Sequence, residues 1–243
     1  VRKAVATAGT AAKIGPTMGI ISKIITDNPK VFFQNSITQR SINPSQYDCS
    51  DLCWNPQKKG MDSPVRGLMC RNLSSYIKQS RDSAVLEIGC GTGWLLYEIG
   101  KYNPIIVEGI YSSRKNIEIV GCVFPGITVT CSSFELFSAS KKYDSIYSIM
   151  MISHVWDIEN FFRKCANFLN NKGEIIIVVP DYEYFQKSRQ GYVMEFVYFK
   201  DSYAVNIQQK MLSLSQIVRK NEAYHDAAKQ AGFLLAEEKP IVI

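Results

Sequence analysis

The residues best suited to chemistry lie in one stretch, Val85 to Leu96, which reads VLEIGCGTGWLL. An apolar run carries one acid, Glu87, and three glycines follow at alternate positions, Gly89, Gly91 and Gly93, with Cys90 between the first two. Glycine lets the backbone turn sharply and approach a ligand closely, because no Cβ stands in the way. The helix expected to begin near Thr92 would present unpaired N–H groups at its start, suited to a carboxylate or another anion. A dinucleotide-binding turn would read G-x-G-x-x-G. In this chain the third glycine comes one residue early and Trp94 takes its expected position, which argues against a nicotinamide or flavin cofactor.

Other chemistry-bearing types are sparse. There are two histidines, His154 and His225. The pair Cys49 and Cys53 has the one metal-like spacing, but no second close pair accompanies it and both histidines are distant in sequence, so no metal is expected. The seven cysteines form an odd, irregularly spaced set, several inside apolar runs. Such residues behave as small buried hydrophobes, and the expectation is a reducing, cytoplasmic setting.

The elements that must position the glycine turn begin at Ser83. Strand-like runs at 84–88, 105–110, 127–131, 144–151 and 174–179 alternate with helical stretches at about 92–101, 113–121 and 158–170. Short Ile/Val-rich strands separated by helices predict an α/β, doubly wound, mostly parallel sheet covered on both faces. Before it, Arg66 to Gln79 has apolar residues at helical spacing, and residues 1–60 read as an irregular extension with a short helix near 16–26. After Pro180 the alternation breaks. Residues 192–208 predict a β-hairpin turning at Lys200-Asp201-Ser202, followed by a helix over 214–231 and a last strand from 233. The expected organisation is thus an extension over 1–60 and one domain over 61–243, with its core at 83–180, an inserted hairpin at 182–210 and a C-terminal helix and strand at 214–243.

The chain's 243 residues, 46% of them hydrophobic and 21% charged, have the composition of a globular protein that needs no disulfide staples. No run approaches the roughly 20 apolar residues of a membrane span. The net charge of +6 is uneven, since residues 1–81 carry 12 Lys+Arg against 4 Asp+Glu. A solvated extension or linker is one reading of that excess, and a nucleic-acid or acidic-membrane surface is the other. The first 25 residues are basic, acid-free and rich in small residues, and no Met opens the chain. A transit peptide or a piece of a longer polypeptide would both look like this.

The pattern E-x-G-x-G-x-G after an apolar strand resembles motif I of the class I S-adenosylmethionine-dependent methyltransferases. The likeness continues along the chain. Tyr143 to Asp157 (YDSIYSIMMISHVWD) is similar to that family's fourth strand and the loop after it, Asn171-Lys172-Gly173 to the turn before the fifth strand, and Ala228 to Phe233 (AKQAGF) to the segment before the sixth. The resemblance implies a Rossmann-like fold and S-adenosylmethionine as cofactor. It implies that Gly89, Cys90, Gly91 and Gly93 line the methionine end, with Glu87 ordering the loop or reaching the amino group. Where the family has a ribose-binding acid at the end of the second strand, this chain has Tyr111, beside Ser112; either Tyr111 donates to the ribose, or an insertion or deletion brings Glu108, three residues earlier on the opposite side, into use. Ser133 stands where an Asp commonly meets the adenine, with Phe134 ready to pack on its face, and Ser148, Ile149 and Met150 line the floor beneath the methyl group.

An enzyme of this class displaces a methyl group in line from sulfur, aided by a water-poor pocket that aligns the reacting atoms. An oxygen nucleophile would also need a base. His154, just past the fourth strand, is the first candidate, and Asp181 and Tyr182, just past the fifth, are the next; ordinary structural roles are the alternative for each. The aromatic-rich segment 182–207 suits either a flat small-molecule acceptor or a hairpin packed on its own core. The leading expectation is methylation of a small molecule at O, N or C. The alternatives are a cofactor-poor binding or scaffold domain of a larger assembly, for which the two missing acids speak, and an RNA methyltransferase, for which the basic N-terminal third speaks.

Overall fold

The structure, a computed structural model, describes residues 23–25, 64–124, 126–188, 190–209 and 212–238. The chain forms two compact units. The larger contains 43–179 and 224–243, and the smaller contains 1–42 and 180–223.

The larger unit is built on five parallel strands: β2 (Ala84–Ile88), β3 (Ile106–Tyr111), β4 (Thr128–Cys131), β5 (Tyr143–Ile149) and β6 (Leu169–Val178), in the order β4-β3-β2-β5-β6. Four helices pack with them: α1 (Pro64–Gln79), α2 (Trp94–Gly100), α3 (Arg114–Val123) and α4 (Ile158–Phe168). The chain enters at the centre with β2, runs outward through β3 and β4, then crosses back to β5 on the other side of β2. The doubly wound parallel sheet is the fold expected from the alternation of Ile/Val runs and helices.

Strand β2 is buried along its whole length, so its sequence is nearly continuously apolar. On one face Leu86, Ile88, Ile110 and Ile146 pack with Phe161, Phe162, Cys165 and Phe168 of α4. On the other, Val85, Tyr147 and Ile176 pack with Leu73 and Ile77 of α1 and Leu95 and Ile99 of α2. Ser113 caps α3 by accepting the Asn116 N–H at 3.3 Å, and Asp157 caps α4 by accepting the Asn160 N–H at 2.9 Å. Asp144 ties three strands together, accepting from the Ala84 N–H of β2 and from the Asn170 side chain of β6, each at 2.8 Å. No helix among the described residues is long and apolar enough to cross a membrane.

The smaller unit contains a second sheet, β1 (Lys23–Ile25), β7 (Val193–Tyr198), β8 (Ser202–Gln209) and β9 (Leu212–Arg219), in that order. Strand β1 runs parallel to β7, and the other pairs are antiparallel. The hairpin expected at 192–208 is present. Tyr203 is fully buried, with Tyr182, Phe196 and Tyr198 around it at ring separations of 5.1, 5.6 and 5.7 Å. The hairpin's aromatics are therefore packed on one another.

Four expectations are corrected. Residues 214–219, expected to begin a helix, belong instead to the strand Leu212–Arg219, in which Gln216 lies across from Val205, both buried. The last helix, α5, is accordingly only Asn221–Gln230. Residues 233–238 form no strand, and Leu234 and Leu235 are exposed there. Asn171, Lys172 and Gly173 lie within β6 at a break in its register with β5, where Lys172 takes φ 64°, instead of forming a turn ahead of the strand. Of the helix expected at 16–26, the described residues 23–25 are strand, in keeping with the β-branched Ile24 and Ile25; the rest of that helix and of the 1–60 extension lies outside the described residues.

Candidate active site

Strand order reverses between β2 and β5, and in open α/β sheets the ligand crevice lies outside the carboxyl ends at such a point. The turn 89–93 leaves β2 at that edge. It is fixed to β3 by Gly89 and Cys90, whose N–H groups both donate to the Ile110 carbonyl, at 2.9 and 3.1 Å. Gly93 closes the turn by donating to the Cys90 carbonyl at 2.9 Å. A Cβ at Gly89 would sit 2.4 Å from Cγ of Met151, so the loop after β5 comes down directly on the turn. Gly91 is different: its φ is 55° and nothing lies within 4 Å of where a Cβ would be. Its backbone borders open space.

Glu87 is 1% exposed, and its Oε2 has no hydrogen-bond partner. Burial pushes the carboxyl up to about 8, offset only in part by the Leu96 N–H in the first turn of α2. Cys90 is also buried, and burial raises its thiol well above the usual range. Ser148 is fully buried with Oγ unpartnered, and by strand alternation it points to the face opposite Glu87, whose cross-strand neighbour on β5 is Tyr147.

Tyr111 and Ser112, both half-buried, end β3 and begin the loop to α3. The Ser132 N–H donates to the Tyr111 carbonyl at 3.0 Å, and the Cys131 thiol to the Ser112 carbonyl at 3.8 Å, tying the ends of β3 and β4 together. Glu108 accepts from the Tyr143 hydroxyl and pairs with Lys141 at 2.6 Å, so its carboxylate already has two partners. Ser133 is half-buried, its carbonyl taken by the Phe137 N–H at 3.0 Å. The Phe134 ring is turned into the core, 7% exposed and 4.7 Å from Phe161, which spends on packing the face expected to be open to a ligand. Lys164 fixes that position by donating to the Phe134 and Glu135 carbonyls at 2.8 and 2.9 Å.

Ile149, the last residue of β5, packs on the α1/α2 side, and Met150 just after it adopts φ 59°, a backbone region costly for a side-chain-bearing residue. Its N–H donates to the Val178 carbonyl at 2.8 Å and its carbonyl accepts from Ser153 Oγ at 3.0 Å. His154 ends the short 3₁₀ turn Ile152–His154, half-buried. The turn, Tyr111, Ser112, Ser133, Met150 and His154 thus all lie at or just past the carboxyl ends of neighbouring strands. Asp181 and Tyr182 belong to the smaller unit. There the Asp181 carboxylate accepts the Tyr184 N–H at 2.6 Å, and the Tyr182 carbonyl accepts the Tyr203 hydroxyl at 2.8 Å. Sequence reasoning missed Gly109, Met151 and Lys164. A glycine inside the strand run IVEGIY signals close backbone approach; the other two carried no local sign.

The methyltransferase-domain family profile matches residues 61–236. The chain belongs to the class I S-adenosylmethionine-dependent methyltransferases. Its methyltransferase fold is shared by an S-adenosylmethionine-dependent methyltransferase from Mesorhizobium loti, with a TM-score of 0.57 at 17% identity over 70% of this chain and 82% of that one. A structure from Listeria monocytogenes described as a methyltransferase of the same dependence gives 0.55 at 15% identity, over 71% and 86% of the two chains. By sequence, the chain is 29% identical over 132 residues to the ubiquinone biosynthesis O-methyltransferase of Rhizobium etli, and 28% identical over 129 to that of Pelagibacter ubique. It spans about half the length of these curated relatives, 52% and 51%.

The residues present fit the family's cofactor. Gly91 leaves room for a ligand against the backbone, and the orphaned Glu87 oxygen is an acceptor fit for an ammonium group. Gly89, Gly91 and Gly93 would hold the methionine end, and Tyr111 and Ser133 the nucleoside. When bound, S-adenosylmethionine supplies an electrophilic methyl group on positively charged sulfur.

Proposed function

We propose that the protein transfers a methyl group from S-adenosylmethionine to a hydroxyl oxygen of a small-molecule acceptor. The observation that carries this reading is the glycine turn: it is intact, open at Gly91 and backed by a buried acid, at the switch point of a parallel sheet. The choice of oxygen is supported by the curated relatives, which are named as O-methyltransferases. In this reading the chain's residues exclude water and orient the reactants, which supplies much of the rate for such a displacement. His154, the histidine that the larger unit carries just past β5, takes the acceptor's proton. Among the described residues, Cys90, Cys122, Cys131 and Cys165 are free thiols, which suits the reducing cytoplasmic location proposed with it.

The test is transfer of radiolabelled methyl to a panel of phenols, catechols and amines, together with calorimetry of S-adenosylhomocysteine. Binding that Gly91→Arg abolishes, with label on a hydroxyl acceptor that His154→Ala slows by about 100-fold, is the expected result. A wild-type protein that binds no S-adenosylhomocysteine sinks the enzymatic reading, and label on amines alone sinks the choice of oxygen.

A further inference from the structure

Glu87 presents a physical problem that its family role does not resolve. It is the one acid on a strand buried along its whole length, and one of its oxygens meets no donor. A buried carboxylate normally survives only if it is paired and hydrogen-bonded. The described groups around it supply no counter-charge. Across β3 stands Gly109, with no side chain, and across β5 stands Tyr147, whose hydroxyl lies 3.3 Å from Ser80 Oγ and is pushed up to about 12. The turn contributes the Cys90 thiol, itself held neutral by burial. On the same face α1 brings Leu73 and Ile77, and α2 brings Leu95 and Ile99 together with the Leu96 N–H. Glu174, on β6, acts on Tyr147, and its negative charge offers no relief.

We propose that Glu87 is a proton-holding residue: it is the neutral acid in the free protein and gives up its proton when an ammonium group docks at the glycine turn, so that cofactor binding releases a proton to solvent. The O–H bond of the acid breaks, the proton passes to buffer, and the carboxylate left behind pairs with the ligand's retained ammonium. The inference rests on the cofactor reading above, and goes beyond it by assigning a protonation state and its change. The direction agrees with a carboxyl raised by burial and lacking any cationic neighbour.

Proton release is counted by calorimetry of S-adenosylhomocysteine binding near pH 7 in buffers of different ionisation enthalpy. The expected count is about one proton, with the dissociation constant falling about tenfold per pH unit between roughly pH 6 and 7.5. Glu87→Gln should bind with buffer-independent heats and a flat pH profile. 5′-Methylthioadenosine, which keeps the nucleoside and lacks the ammonium, should release no proton from the wild type, and this comparison stands even if the variant fails to fold. S-adenosylhomocysteine binding with no proton release overturns the inference while leaving the cofactor reading intact; an absence of binding overturns both.

Discussion

Glu87 and Glu108 stand one residue out of register on adjacent strands, in similar apolar settings, VLEI and IVEG. They point to opposite faces of the sheet and have opposite fates. Glu108 is answered by the Tyr143 hydroxyl and the Lys141 ammonium at the half-exposed side of the sheet. Glu87 is buried beside the glycine turn with a single backbone donor and a free oxygen. An acid whose partners all come from the protein is structural, since its charge is balanced before any ligand arrives. An acid with its counter-charge missing has its protonation state left to the ligand.

That contrast is sharpest in its effect on stability. The Glu87 carboxyl is raised from 4.5 to about 8 in the folded state. For a group raised on folding, its stabilising contribution is fully present below the unfolded value and is lost as pH rises through the folded one, because the unfolded chain ionises first. Wild-type stability should therefore fall relative to Glu87→Gln between about pH 4.5 and 8. The gap should reach roughly 3–5 kcal/mol, at about 1.4 kcal/mol per pKa unit. Denaturant melts of the two proteins at pH 5, 7 and 9 measure it, and parallel curves would show that Glu87 is paired or solvated after all.

Gly109 lies directly across from Glu87 and next to Glu108, so it tests whether the two sides are mechanically separate. A Cβ there would sit 2.7 Å from Leu96 and 2.8 Å from the Cys90 sulfur. Gly109→Ala should cost about 2 kcal/mol by overpacking. By displacing the turn it should also weaken S-adenosylhomocysteine binding, while leaving the Glu108–Lys141 pair in place. Unaltered affinity at the expected loss of stability would mean that the turn does not depend on its seat against β3.

These contacts show where the sequence could be read and where it could not. The glycine turn and the strand–helix alternation after Ser83 are local patterns, and local patterns survive in sequence. The partners of Glu87 and Glu108 are not local: Tyr143 and Lys141 lie more than thirty residues from Glu108, and the absence of a partner leaves no mark in sequence at all. Phe134 was legible as an aromatic at a strand end, but its turn into the core is dictated by Phe161 and Lys164 on α4. In β9 residues 214–219 resemble the start of a helix because the helix-forming run from Asn221 follows them closely. Only pairing with β8 distinguishes the two readings.

The weakest prediction concerns Glu108 itself. Glu108→Gln keeps an acceptor for the Tyr143 hydroxyl and removes the charge opposite Lys141, whose side chain is 38% exposed. Solvent screens an ion pair of that kind, so the loss should be no more than about 1 kcal/mol, and added salt should shrink it in the wild type. Proton release on S-adenosylhomocysteine binding should be unchanged, because the group lies on the opposite face from Glu87 and is balanced already. If Glu108→Gln altered that proton count, the two acids would share one electrostatic system. The partners of Glu108 would then be part of the ligand site instead of a brace on the far side of the sheet.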